Sequence, residues 1–207
     1  MHFINGMLQH SFFKRDPLDC ARELVGTQLI WGGCAGVVVE TEAYLTENDE
    51  ACHCFNRPST RAFVLRNKPA TAYIYLNYGV HWMLNVLVKG GPRDGLILIR
   101  AIEPTQGIEI MRARRRVEDA RQLCSGPGKL TQALGIDMRH HEIDLCADGR
   151  HGFATGVSGV DALADARIGI TRSADLPWRF TLRDSQFLSR PFKPPANRLT
   201  PSNARAR

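Results

Sequence analysis

Apolar residues first recur with helical spacing between residues 16 and 25. Asp16-Pro17 opens a helix, Leu18, Ala21, Leu24 and Val25 fall on one face, and Gly26 closes it. From Gly36 to Tyr44 the period shortens to two. Val37, Val39 and Thr41 take one face of a predicted strand, and Val38, Glu40, Glu42 and Tyr44 take the other. Two more strands are predicted over Thr71–Asn77 and Val80–Val88, with Asn77-Tyr78-Gly79 as a hairpin tip where Asn and Gly tolerate positive φ. Leu96–Ala101 reads as a further strand and Gln106–Gln122 as a helix with an arginine-rich face. Ser125-Gly126-Pro127-Gly128-Lys129 leads into a shorter helix carrying Leu130, Ala133 and Leu134. Arg167–Thr171 and Arg179–Leu182 are the late strands. Between these elements, Thr46–Pro69 is polar, basic and irregular, which predicts a surface loop of functional length. From Ser185 onward Pro and Arg accumulate and the periodicity fades, which predicts an extended or partly disordered tail. No repeat or linker divides the chain, so one domain over residues 1–190 and a Pro/Arg-rich tail over 191–207 are expected.

Composition narrows the class. At 207 residues, with 43% hydrophobic and 23% charged positions, the chain can build a core without metals or disulfides, and it is neither disordered nor fibrous. No apolar run approaches the ~20 residues of a membrane span, and no signal peptide is read at the start. The expectation is a cytoplasmic protein, nucleoid-associated if bacterial, with its six cysteines reduced. The 27 Lys and Arg against 21 Asp and Glu leave a charge of +6. A basic surface suits a polyanionic partner, though it also serves solubility.

Three groupings could carry chemistry. Glu40 and Glu42, at i and i+2 on one strand face, stand about 7 Å apart. That suits a hydrolase in which one carboxylate activates water, and it equally suits a solvated polar face; Tyr44, at a strand end entering a long loop, leans toward a site. All four tyrosines fall between residues 44 and 78, close to His53 and His81 and to Arg57, Arg61, Arg66 and Lys68. That mixture provides base stacking and phosphate contact, although strand tyrosines also pack in cores. Tyr78, at a hairpin tip, points away from any core. Cys52-His53-Cys54 lacks zinc-hook spacing, and no second Cys-x-x-Cys completes a tetrahedron, so no metal is expected. Gly128-Lys129 is no triphosphate loop, because Leu123 and Leu130 occupy its key positions. Ser125 at a helix start reads as the anchor of one phosphate or as a cap.

The blocks Val39-Glu40-Thr41-Glu42-Ala43-Tyr44, Asp49-Glu50-Ala51-Cys52-His53 and Ala72-Tyr73-Ile74-Tyr75-Leu76-Asn77-Tyr78-Gly79 resemble the alkyladenine (3-methyladenine) DNA glycosylase family. Leu84-Asn85-Val86, Leu98 to Pro104 and Leu123 to Leu130 continue the resemblance in the family's order, over about residues 10–190. The resemblance implies an α+β fold: a single mixed α/β domain with a curved, largely antiparallel sheet and a protruding β-hairpin. It implies a monofunctional base-excision enzyme, free of cofactor and of lyase activity, acting on alkylated purines such as 3-methyladenine and 7-methylguanine, and it leaves activity on the neutral, non-alkylated base hypoxanthine open. By position, Glu42 matches the general base that activates water, and Arg100 the arginine holding that water and a phosphate. Tyr44, His53 and Tyr75 match the side chains that sandwich the flipped base, Asn85 the residue that crowds the guanine 2-amino group, and Tyr78 the intercalating wedge. Arg61, Ser125 and Lys129 are the expected phosphate contacts. The partner is double-stranded DNA carrying a damaged purine, and a monomer is expected. Two positions depart from the family pattern: the segment Arg57–Pro69 is shorter, with Ala70 where glycine is usual after Lys-Pro, and His81 stands where some members have tyrosine.

Two other readings fit parts of the same surface. A non-catalytic nucleic-acid-binding module would use the basic and aromatic residues and would have no use for Glu42. A carbohydrate-directed glycosidase would use the carboxylates and gain nothing from the charge.

Overall fold

Strand alternation and helix capping account for most of the architecture. In the computed structural model, which describes residues 6–147, 149–156 and 159–192, the Asp16 carboxylate accepts from the Leu18 N–H and starts α1, Pro17–Leu24. β1, Gln28–Trp31, turns into β2, Cys34–Leu45; α2, His53–Asn56, and α3, Pro58–Arg66, precede the hairpin of β3, Ala72–Asn77, and β4, His81–Val88. β5, Gly95–Gln106, leads to α4, Ile108–Arg115, α5, Ala120–Leu123, and α6, Pro127–Leu134, and then to β6, His151–Ala154, β7, Ala162–Asp165, and β8, Arg179–Leu182. All pairings are antiparallel, in the order β3-β4-β5-β2-β1-β6, with β8 joining β2 alongside and β7 pairing β8. This is the expected α+β fold with a curled sheet and a projecting hairpin.

Both faces of the sheet are covered, so its central strands are apolar on both sides. On one face Ile74, Leu84, Val86, Ile97 and Ile99 join Leu24 of α1 and Leu130 and Leu134 of α6 in the main core. On the other, Tyr73, Leu87 and Leu96 meet Cys52, Cys54, Phe63 and Val64 from the α2–α3 region. Glu40, Glu42, Tyr44, Tyr75, Asn85 and Leu98 share the strand parity of this second face.

Two opposed bulges break the simple alternation predicted for β2. Val38 pairs Ile102 and Glu40 pairs Ala101, which leaves Val39 unpaired; Thr41 then pairs Ile99, which leaves Arg100 unpaired on β5. The first bulge moves Val38 onto the main-core face with Ala43, away from the face of Glu40 and Glu42 on which the sequence pattern puts it. The second re-aims Arg100 toward the two glutamates, the use to which bulges beside functional sites are often put.

Five expectations are corrected. Thr46–Pro69 is not an open loop: it holds α2 and α3, because Phe63 and Val64 find a buried seat against Tyr73. The helix predicted over Gln106–Gln122 breaks at Arg116, which takes a left-handed conformation (φ 53°), and the strand predicted to end at Ala101 runs on to Gln106. Arg167–Thr171 forms no strand; the β7 ladder lies just before it. Residues 185–190 are held rather than loose, since the Ser189 N–H and the Arg190 carbonyl both bond to buried side chains. The expectation of a loose tail beyond residue 192 lies outside the described residues. Ala70, where the resembled family has glycine, sits at φ 66° and fully buried, so the backbone there takes the turn that glycine favours.

Candidate active site

The middle of β2 places two carboxylates in the interior. Glu40 and Glu42 are both 0% exposed, which removes the solvated-face reading. Glu40 sits among donors: Arg100 Nε at 2.8 Å, Arg179 Nε at 2.8 Å, Ser189 N at 2.6 Å and Ser189 Oγ at 2.7 Å. Burial works to raise its pKa, yet the two guanidiniums outweigh burial and hold the carboxyl below its ordinary range. Glu42 accepts from Tyr44 Oη at 2.7 Å and Arg100 Nη1 at 3.1 Å on Oε2, and from the Ile168 N–H at 2.7 Å on Oε1. Arg100 therefore bridges the two carboxylates. Burial alone would lower its pKa, but Glu42 and Glu40 raise it, so it stays cationic. Burial and the neighbouring Glu42 push the Tyr44 hydroxyl well upward, so it remains a protonated donor.

Tyr44, Arg100 and Ile168 separate Glu42 from a cavity of about 210 Å³. Its walls carry Tyr75, His53, Tyr73, Asn85, Met83 and Leu98, with Tyr78 at the mouth and Pro127, the first residue of α6, on one side. The His53 and Tyr75 rings meet edge to face at 4.3 Å, so these two form one wall together, while Tyr44 contributes from β2. His53 Nδ1 pairs with Tyr73 Oη at 3.2 Å, and burial, aided by Arg57, lowers its pKa to about 4. The ring is neutral at pH 7. Asn85, a buried residue of the cavity lining, donates from Nδ2 to the Tyr73 carbonyl at 3.1 Å.

At the hairpin tip Tyr78 (φ 51°) and Gly79 (φ 69°) both take positive φ, and the Val80 N–H closes the turn on the Asn77 carbonyl at 3.0 Å. Tyr78 is 87% exposed, so it is not packed under its own hairpin. Gly128 lies against the His81 ring, where an added Cβ would come within 2.8 Å, so the start of α6 abuts the hairpin base. There Ser125 Oγ accepts from Lys129 Nζ at 3.4 Å, bringing two of the expected phosphate contacts together. Arg61 is elsewhere engaged: its Nη1 donates to the Cys54 carbonyl at 2.7 Å and to the Phe55 carbonyl at 3.3 Å, at the end of α2.

Sequence reasoning misses several members of the site. Ser189 lies in the expected tail and Ile168 in an expected strand, and Ile168 contributes a backbone N–H that no side-chain pattern reveals. A buried ion pair, Arg167–Asp49, is missed as well. Arg167 sets Nη1 and Nη2 at 2.6 and 2.8 Å from the Asp49 oxygens, with its Cζ 4.6 Å from the Tyr44 ring centre and 5.0 Å from that of Trp178. The only sequence hint is Asp49 in a motif block.

The site thus combines a buried carboxylate held among donors with an adjoining cavity rich in aromatic side chains. The family model for methylpurine-DNA glycosylase (MPG) matches residues 11–186. Proteins of Rhodopseudomonas palustris (strain HaA2), Rhizobium etli and Nitrosospira multiformis are 45%, 43% and 42% identical to the chain. The matches cover 90%, 88% and 88% of this chain and 92%, 89% and 94% of the relatives, each of which bears the name "Putative 3-methyladenine DNA glycosylase". The chain belongs to the methylpurine-DNA glycosylase family. By that membership it is a DNA glycosylase of base-excision repair acting on alkylated bases. Among the described residues no helix is long and apolar enough to cross a membrane.

Proposed function

We propose that the protein hydrolyses the N-glycosidic bond of alkylated purines, 3-methyladenine and 7-methylguanine above all, in double-stranded DNA, with Glu42 as the base that activates water. The observation that carries this reading is the setting of Glu42. It is fully buried beside an aromatic cavity, with three donors on a carboxylate that offers about four acceptor positions. The remaining lone pair takes the water, which enters between Tyr44, Arg100 and Ile168 as the base is seated. A duplex hides the glycosidic bond, so the nucleotide must first leave the stack at a cost of a few kcal/mol, least for damaged bases. A methylated purine carries positive charge, so it stacks favourably on the electron-rich faces of Tyr44 and Tyr75 and departs without prior protonation. His53, neutral at pH 7, does not repel that cation. Asn85 crowds the 2-amino group of guanine, which turns away the unmodified base; 7-methylguanine carries the same group and is admitted because its positive charge strengthens stacking and weakens the bond to be cut.

Among the described residues no lysine lines the cavity, and a Schiff-base lyase needs such an amine. That supports a reaction that stops at the abasic site. Ser125 and Lys129 contact phosphates from the start of α6. Arg61 acts first to close α2, and reaches phosphate only with the N–H groups it has left. Incubation with methylated duplex and then alkali tests the reading: strand breaks that need alkali support it, and a mobility shift without breaks favours the non-catalytic binding module.

Tyr78 is the wedge in this account. Its exposed ring replaces the stacking lost by the flipped nucleotide, an interaction worth about 1–3 kcal/mol per base. Tyr78→Ala should lose ~10- to 100-fold in binding to a flipped or abasic site, while salt-sensitive non-specific binding stays nearly unchanged. A fluorescent base beside the lesion reads flipping directly, and full flipping by the variant would remove Tyr78 from this role.

No metal takes part. Cys52 and Cys54 are buried, the Cys54 N–H lies 3.5 Å from Cys52 Sγ, and His53 Nδ1 is committed to Tyr73. His10, Asp144 and Cys146 do gather their donor atoms within 4.8 Å, but Lys68 Nζ already stands 2.7 Å from Asp144. Treatment with EDTA should leave the excision rate unchanged. A loss restored by zinc would overturn this assignment.

A further inference from the structure

The loop at 166–171 walls the cavity with Ile168, Gly169 and Ile170 and brings the Ile168 N–H to Glu42, yet no strand ladder holds it. Something else must fix it, because a backbone donor misplaced by about 1 Å can cost ~10²-fold in rate. The neighbouring Arg167 is the anchor. It is 0% exposed at its side chain, as is Asp49, and the pair is bidentate. Arg167 also donates to the Ala43 carbonyl at 3.0 Å and the Ser173 carbonyl at 3.1 Å, and its guanidinium lies over the Tyr44 ring. Asp49 accepts in turn from the Leu45 N–H and the Ala51 N–H, both at 3.1 Å. One ion pair thus ties three chain segments together: the end of β2 that carries Tyr44, the turn before His53, and the loop that carries Ile168.

We infer that Arg167 and Asp49 are positioning residues for the reaction proposed above, fixing the Ile168 N–H against Glu42 and the Tyr44 ring against the base without touching either DNA or base. Neither side chain lines the cavity. A planar fork that binds a carboxylate through two bonds while stacking on a ring is a task lysine cannot perform, although lysine keeps the buried charge paired.

The test uses the full chain, with Arg167→Lys as the first variant and the double variant Asp49→Leu with Arg167→Met as the second. The double variant removes both buried charges together, a change that is often neutral for stability. Melting temperature, affinity for undamaged duplex and single-turnover release from methylated duplex are measured for each, well below the melting transition. Expected are folded proteins whose affinity for undamaged duplex stays within about twofold of wild type, while the single-turnover rate at saturating enzyme falls ~10- to 100-fold. A merely structural pair would lower melting temperature and leave the rate per folded molecule unchanged. Release within about threefold of wild type by either folded variant, with Glu42→Gln inactive beside it, overturns the inference and leaves the proposed reaction standing. Full release by Glu42→Gln itself overturns the reaction and the inference with it.

Discussion

Glu42→Gln should abolish base release while DNA binding stays largely intact. Gln keeps the shape and can still accept from Tyr44 Oη or Arg100, but it cannot take a proton from water. Loss of a general base typically costs ~10² to 10⁴ in rate. The charge it removes is fully buried and paired inward with Arg100, which keeps Glu40 as a partner, whereas affinity for undamaged backbone comes from exposed cations such as Lys129, so the binding isotherm of undamaged duplex should barely move. Single-turnover kinetics on methylated duplex provide the check, and excision within a few-fold of wild type would dismiss Glu42 as the base.

Glu40→Gln should fail differently. Its carboxylate faces two guanidiniums and the Ser189 N–H, with no exposure to solvent, so the substitution leaves Arg100 and Arg179 short of a counter-charge in the interior. Breaking a buried pair from one side costs about 3–5 kcal/mol. For a chain of this size that corresponds to roughly 6–20 °C in Tm, measurable by calorimetry. Per folded molecule, Glu40→Gln should be far milder than Glu42→Gln in excision rate. The reverse ranking would exchange their roles. The same pair sets an acid limit. Because the Glu40 pKa in the folded protein lies below its ordinary value of 4.5, its stabilising contribution is complete above that pH. It is lost as pH falls through the lower folded value. Wild type should therefore lose Tm steeply below about pH 4.5, and Glu40→Gln should show a shallower loss there. Equal acid slopes for the two proteins would contradict the assignment.

Much of this site is legible in the amino-acid sequence, for identifiable reasons. β2, the hairpin and α1 follow from periodicity and capping, which are local properties. The motif blocks place Glu42, Tyr44, His53, Tyr75, Asn85 and Arg100, and all of these but Glu42, which lies just behind the wall, line one cavity. What stays hidden depends on contacts distant in sequence. The opposed bulges at Val39 and Arg100 arise from the mismatch between β2 and β5, and neither strand reveals that alone. α3 begins with Pro58-Ser59-Thr60 and leaves Leu65 exposed, so its pattern is weak; it is held by burial of Phe63 and Val64. The Ile168 N–H, the Ser189 N–H and the Arg167–Asp49 pair reach the site across more than one hundred positions, beyond the range of any spacing rule.

The most direct test of the central claim is to count the products. Wild-type protein is incubated with methylated duplex, the free bases are separated and identified by mass, and the abasic sites left in the DNA are counted. The account predicts free 3-methyladenine and 7-methylguanine in one-to-one proportion with abasic sites, strands intact until alkali is added, and neither product with Glu42→Gln. Tight binding of the methylated duplex with no free base, or release that continues undiminished with Glu42→Gln, would contradict it.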